Sequence, residues 1–129
     1  MHEFSLASEI ANIAVSVGKD NNFQRIKRID INVGEFSFVN PEQIAFWLKV
    51  LSEEDPNYNI IRDSHIEFHK KKGIITCLKC NYQGSTSTTP EGTSMHMLVD
   101  AFVTCPECGS HSTTIIKGRD VVVSSIQGN

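Results

Sequence analysis

Four cysteines form two pairs, Cys77-x-x-Cys80 and Cys105-x-x-Cys108, and these are all the cysteines in the chain. Paired cysteines at this spacing are typical of a metal site, because each pair lies in a tight turn that presents two thiolates to one ion. Four thiolates fill the tetrahedral coordination of zinc and leave no position for water, so the predicted site is structural and not catalytic. Iron in a four-thiolate site fits the same spacing, and the sequence leaves that alternative open.

The first three residues, Met1, His2 and Glu3, offer nitrogen and oxygen donors for a second kind of metal site. A large side chain at position 2 should leave Met1 in place, so the free amine is expected to be that of Met1. This amine, the next amide nitrogen and the His2 imidazole can close chelate rings around Ni(II) or Cu(II), which prefer planar nitrogen ligands. The Glu3 carboxylate or amide can complete four positions. The alternative is a disordered chain end that binds no metal.

Composition narrows the class of protein. The chain has 129 residues and a formal net charge of −3, which suits one domain or two small ones and argues against a nucleic-acid binder. The basic run Lys70-Lys71-Lys72 is short, and it is predicted to be a solvated strand end. No apolar run approaches the length of a membrane span, and the first residues lack the basic region of a signal peptide. A cytoplasmic location is therefore expected, where reduced thiols favour metal over disulfides.

The elements that must position these residues can be read from hydrophobic periodicity and turn signals. In the second helix Asn40 is the expected N-cap, and Pro41 fits the first helical position. The last strand, which contains Val121–Val123, is expected to return to the first sheet. The patterns predict a helix over 4–17, a strand over 25–33, a helix from Pro41 to about Glu53, a loop over 54–63 and a strand over 64–69. His65 and His69 alternate with Ile66 and Phe68 in that strand and are predicted to be surface residues.

These elements predict an α+β fold in which a small sheet with two helices carries an inserted four-cysteine domain resembling a zinc ribbon. The expected limits are 1–73 plus 113–129 for the first domain and 74–112 for the zinc-binding domain. So small a lobe needs a metal to fold, because it cannot bury enough apolar surface by itself.

Several segments together resemble the HypA/HybF family in order and spacing: MHEFSLASEI, INVGEFSFVNPEQIAF, the CxxC…CPEC quartet with its following GS, and IIKGRDVVVSSI. Members of that family are nickel metallochaperones for [NiFe]-hydrogenase maturation and, in some organisms, for urease. The resemblance implies Ni(II), as transferred cargo, on Met1, His2 and Glu3, and structural Zn(II) on Cys77, Cys80, Cys105 and Cys108. It also implies transfer with a maturation GTPase to the hydrogenase large-subunit precursor, or with urease accessory proteins. Whether the chain forms a homodimer is left open.

Two further histidines are candidate ligands. His96, between Met95 and Met97, could close on the N-terminal nickel, or it could lie in solvent while the methionines pack. His111 follows Cys108 closely and could replace a thiolate, although an exposed histidine is the simpler interpretation.

Neither a nucleophile–base pair nor a phosphate-binding glycine loop is apparent in the sequence, so the chain is not expected to be an enzyme. An alternative function is a zinc-ribbon adaptor that binds protein or nucleic acid. A rubredoxin-like electron carrier is a third interpretation, and it requires iron in the sulfur site.

Overall fold

The computed structural model describes residues 3–86 and 104–129. Its elements are helices α1 (Glu3–Asp20) and α2 (Pro41–Glu54), a 3₁₀ helix (Pro56–Ile61), and strands β1 (Ile26–Gly34), β2 (His65–Lys71), β3 (Ile74–Cys77), β4 (Gln83–Gly84), β5 (Thr113–Lys117) and β6 (Val121–Gly128). None of the helices in the described part of the chain is long and apolar enough to cross a membrane. The predicted α+β class, with two helices and small sheets, is confirmed.

Helix α2 begins where the sequence predicts. The side chain of Asn40 accepts a hydrogen bond from the Glu42 amide at 2.9 Å, and Pro41 occupies the first turn, where its missing N–H costs nothing. The loop predicted over 54–63 is wrong, because residues Pro56–Ile61 form a 3₁₀ helix. Asp55 caps it by accepting from the Asn57 amide at 2.9 Å.

The first sheet has the strand order β2-β1-β6. Arg25 and Asn129 exchange two backbone hydrogen bonds of 3.2 and 3.0 Å, and the Gly34 amide donates to the Asp120 carbonyl at 2.9 Å. These bonds at the two ends of β1 show that β1 and β6 are antiparallel. The expected return of the last strand to the first sheet is therefore confirmed.

The second sheet has the order β4-β3-β5, and β3 is antiparallel to both neighbours. Cys77, the last residue of β3, is opposite Thr113 in β5. The turn from β3 to β4 contains the first Cys-x-x-Cys pair. The sheet thereby holds that pair at the end of a hydrogen-bonded strand.

The chain divides into two compact units. One, which we call the helical unit, contains α1, α2, the 3₁₀ helix and most of β1, β2 and β6. The other, the cysteine unit, contains Gly34–Phe38 and the described residues from Lys70 to Val121. The domain limits expected from the sequence, 74–112 for the zinc-binding part, stay a prediction.

Each unit has apolar packing of its own among the residues that the structure describes. The helical unit buries aliphatic side chains from α1, α2, β1 and the 3₁₀ helix, namely Leu6, Ile10, Ile26, Ile29, Ile31, Val33, Ile44, Leu48 and Ile61. In the cysteine unit Phe36 and Ile75 form a small buried cluster, against which Phe38, Tyr82 and Ile115 pack. On α1, Ile13 lies outside this packing and is 45% exposed.

Candidate metal centre

The four cysteine sulfurs converge in the cysteine unit. All four Sγ atoms lie within 4.8 Å of one another, and the pairs Cys77–Cys108 and Cys80–Cys105 are each 3.6 Å apart. In a tetrahedral zinc site with Zn–S bonds of about 2.3 Å, neighbouring sulfurs are roughly 3.8 Å apart. The arrangement therefore fits a four-thiolate ion, with one cysteine of each pair (Cys77 and Cys105) buried and the other exposed.

The two cysteine turns share one backbone pattern. In the first, the Cys77 amide donates to the Tyr82 carbonyl at 2.8 Å and the Asn81 amide donates to the Cys77 carbonyl at 3.0 Å. In the second, the amides of Cys105 and Gly109 make the equivalent bonds, both 2.9 Å, to the carbonyls of Ser110 and Cys105. The two turns are thus one motif used twice.

Each turn is closed by a residue with a left-handed backbone, Asn81 with φ of 63° and Gly109 with φ of 76°. Asparagine and glycine adopt this conformation at the least cost. Gly109 could be recognised in the sequence as a tight exit from its cysteine pair. The equivalent role of Asn81 was missed, although its position directly after Cys80 was a usable signal.

Backbone amides also shift the pKa values of the cysteine thiols. The Cys80 amide donates to Cys77 Sγ at 3.4 Å, and this bond is the main cause that lowers the pKa of Cys77 to about 6. At Cys80 the Tyr82 amide lowers the pKa, but burial and the neighbouring thiols of Cys105, Cys108 and Cys77 together raise it to about 12. Thiols that crowd in this way exchange their protons for a cation, which is the usual behaviour of a thiolate metal site.

The structure brings the cysteines together but leaves His111 outside the group. The His111 Nδ1 atom lies 3.1 Å from the Thr104 hydroxyl, and the ring is exposed. Met1, His2 and His96 lie outside the described residues. Glu3 is the first residue of α1, and its neighbour Phe4 packs edge-on against Trp47 of α2, with ring centroids 5.1 Å apart.

A second polar cluster, centred on Asp30 of β1, was not foreseen. Asp30 is 7% exposed, and its carboxylate binds Arg28 at 2.9 Å, His69 Nε2 at 2.8 Å and the Ser125 hydroxyl at 2.7 Å. The Arg28 guanidinium, followed by His69 and Ser125, holds the pKa of Asp30 well below its usual range. His65 is exposed as predicted, but the prediction for His69 missed this contact.

The fold and the sulfur cluster define a small α+β protein with a four-cysteine metal site. A family model described as hydrogenase/urease nickel incorporation, metallochaperone, HypA matches residues 1–128. The chain belongs to this family.

Comparisons with individual relatives agree with this family assignment. The hydrogenase maturation factor HypA of Methanocella arvoryzae is 29% identical over 127 residues, which cover 98% of this chain and 97% of that protein. The protein of the same name from Methanococcus aeolicus is 31% identical over 93% of this chain and 90% of its own length. The solution structure of the Ni metallochaperone HypA from Helicobacter pylori is 20% identical, with a TM-score of 0.65 over 99% of this chain and 97% of that one. This last similarity concerns the fold.

Proposed function

We propose that this protein is a nickel metallochaperone, which binds Ni(II) at its first three residues and delivers it for maturation of [NiFe]-hydrogenase or urease. The observation that carries the proposal is the match of the nickel-incorporation family model to residues 1–128. The protein acts as a carrier and not as a catalyst. It works in the cytoplasm with a maturation GTPase and with the hydrogenase large-subunit precursor or urease accessory proteins.

The proposed nickel ligands are the Met1 amine, the His2 imidazole and Glu3, and they require Met1 to be the first residue of the mature protein. Glu3 begins α1, and the edge-on contact between Phe4 and Trp47 ties the next residue to α2. Ligands at the start of an anchored helix can present their metal to a partner, because the packing of the helix fixes the position of the ligands. Amine and imidazole nitrogens suit Ni(II) better than they suit hard cations such as Mg(II).

The test is a calorimetric nickel titration of untagged, zinc-loaded protein, whose intact mass first establishes that Met1 is present. His2→Ala and a version extended by Gly-Ser before Met1 should both lose stoichiometric binding. His65→Ala is the matched control, because His65 is an exposed histidine that pairs with Glu67 at 2.7 Å. Nickel affinity should fall below about pH 6.5, where an ordinary imidazole becomes protonated.

Stoichiometric binding that survives both changes would overturn the N-terminal site. Replacing His96 and His111 in turn would then identify the side chains that hold the ion. His96 itself is proposed as an additional ligand in one conformation, so His96→Ala should weaken nickel binding without abolishing it.

We further propose that the ion held by Cys77, Cys80, Cys105 and Cys108 is zinc in a structural role. The separation of 3.6 Å between paired sulfurs supports a four-thiolate ion. Iron suits the same four ligands. Metal analysis of the purified protein distinguishes them, since a zinc protein is colourless and an iron-loaded one is red; one iron per chain would favour the electron carrier.

A further inference from the structure

Two basic segments that lie far apart in the sequence meet in the cysteine unit. Residues Gly34–Phe36 run between them. The Glu35 amide donates to the Lys71 carbonyl at 2.9 Å, and the Phe36 amide donates to the Gly118 carbonyl at 2.6 Å. The run Lys70-Lys71-Lys72 thereby lies beside the turn that contains Lys117 and Arg119.

Glycines make this approach possible. Gly118 has φ of 110°, and a Cβ atom placed there would lie 2.7 Å from the Gly73 Cα. A Cβ atom at Gly34 would collide with the Gly118 carbonyl, and one at Gly73 would collide with the Phe36 ring. Backbones this close leave no room for side chains between them, so the two segments can meet only where glycine stands.

Five basic residues lie on the two segments that meet here, and we call this part of the surface the basic junction: Lys70, Lys71, Lys72, Lys117 and Arg119. All five are exposed, and within the described part of the chain none of them pairs with a carboxylate. Two acidic residues lie in the connecting segments, Glu35 and Asp120. One Glu35 oxygen is already used, since it accepts the Gly73 amide at 2.8 Å.

Five of the 12 lysines and arginines lie in the basic junction, although the chain as a whole carries a formal charge of −3. A local positive surface on an acidic protein attracts and orients a partner whose facing surface is negative. Nucleic acid is a weaker candidate, because the remaining negative surface repels a long polyanion. Phe36, the aromatic residue at the junction, is 5% exposed and cannot stack on a base.

We propose that the basic junction is the docking surface for an acidic face of the maturation GTPase. This inference rests on the proposed function, since it names the surface through which that carrier engages its partner. The attraction acts on the rate of encounter, so it orients the two proteins before the closer contacts form.

The test compares two triple variants with equal charge change. One is Lys71→Glu, Lys72→Glu and Arg119→Glu in the basic junction. The matched control is Lys19→Glu, Lys27→Glu and Lys49→Glu, three exposed lysines of the helical unit. The rate of association with the purified GTPase of the same organism is measured by surface plasmon resonance at low and high salt, with zinc-loaded full-length protein. A short DNA duplex is a second probe.

The junction variant should associate with the GTPase about 10-fold or more slowly at low salt, whereas the control stays near the unmodified protein. The rates should converge at high salt, because screening removes the electrostatic term but would not repair misfolding. Zinc and nickel stoichiometries should be unchanged in both variants.

Equal rates for all three proteins, equal slowing of both variants, or undetectable GTPase binding by the unmodified protein would each overturn the proposal. Tighter binding to the duplex than to the GTPase, lost in the junction variant, would overturn it in favour of a nucleic-acid surface. The nickel titration is measured separately. Failure of nickel binding would refute the metallochaperone function, even where docking still depends on the junction.

Discussion

The four-cysteine centre and the Asp30 cluster are both polar clusters anchored on a sheet, yet they are built differently. The centre consists of two turns, each of which brings its two ligands together within four residues. The Asp30 cluster joins residues 39 and 95 positions apart, since His69 and Ser125 reach Asp30 from the two neighbouring strands. Each cysteine turn is a local structure, and only the meeting of the two turns spans 25 and 31 positions. The Asp30 cluster has no local part of this kind and exists only after the strands have paired.

The two units also differ in what stabilises them. The helical unit buries isoleucines at 0% exposure in β1 and α2, such as Ile29, Ile31 and Ile44. The buried cluster of the cysteine unit is formed by Phe36 and Ile75. With so little apolar burial among its described residues, the cysteine unit should depend on its metal, while the helical unit should depend on its core.

The largest expected effect is metal removal. Chelation, or Cys77→Ala, should strip amide protection from the cysteine unit and spare the helical unit, because the ion replaces a core there. Hydrogen exchange measured by mass spectrometry would compare the amide protection of residues 74–84 and 104–117, in the cysteine unit, with that of residues 29–33, in the helical unit. Leu78→Ala is the control, since Leu78 lies in the same turn, is 67% exposed and is not a ligand. Equal loss of protection in both units would contradict the comparison.

Truncating a buried side chain of the helical unit should destabilise that unit. Ile29→Ala, at a position with 0% exposure, should lower the free energy of unfolding by about 2–5 kcal/mol. Ile13→Ala, at a position 45% exposed on α1, should lower it by less than about 1 kcal/mol. Urea unfolding of the zinc-loaded proteins, followed by circular dichroism, measures both. Similar losses for the two variants would mean that the burial of Ile29 is not what stabilises this unit.

Asp30→Asn should destabilise the protein by a smaller, pH-dependent amount. Because the folded-state pKa of Asp30 is lowered, chiefly by Arg28, its stabilisation is complete above the unfolded-state value of about 4. It is lost as the pH falls through the folded-state value.

The thermal midpoints of Asp30→Asn and the unmodified protein should therefore differ most near neutral pH and converge in acid. Glu67→Gln, which changes an exposed carboxylate paired with His65, is the control and should show little difference at any pH. If the difference in thermal midpoint between Asp30→Asn and the unmodified protein did not change with pH, the ion pair would not be the source of the stabilisation.

The smallest expected effect concerns the shared turn motif. Gly109→Asn should be tolerated, because Asn81 holds the equivalent left-handed position in the first turn. Gly109→Val should cost about 1–2 kcal/mol, the penalty for a branched residue with positive φ. Urea midpoints and zinc content would be compared. If asparagine proved as costly as valine, the two turns would not be equivalent.

Parts of the fold were predictable wherever the signal was local. Asn40 and Pro41 predict the start of α2, and the spacing of Ile29, Ile31 and Val33 at every second position predicts β1. The second capped start at Asp55 was mistaken for a loop, since a 3₁₀ helix of six residues leaves too short a periodic pattern to recognise. Ile13 shares the helical spacing of the buried Ile10 and Ala14 but is 45% exposed, so helical spacing alone does not say how wide the buried face is.

The sequence by itself determined each cysteine turn and the helix cap, because each depends on residue types a few positions apart, whose geometry the turn or helix sets. It also determined the family, because several motifs occur in the same order and spacing along the chain. Only the tertiary structure decided the partners of Asp30 and the meeting of Lys71 with Gly118 across the segment that follows β1. Those contacts depend on strand order and register. Both follow from which apolar faces pack together over the whole chain, and no local pattern of residues encodes them.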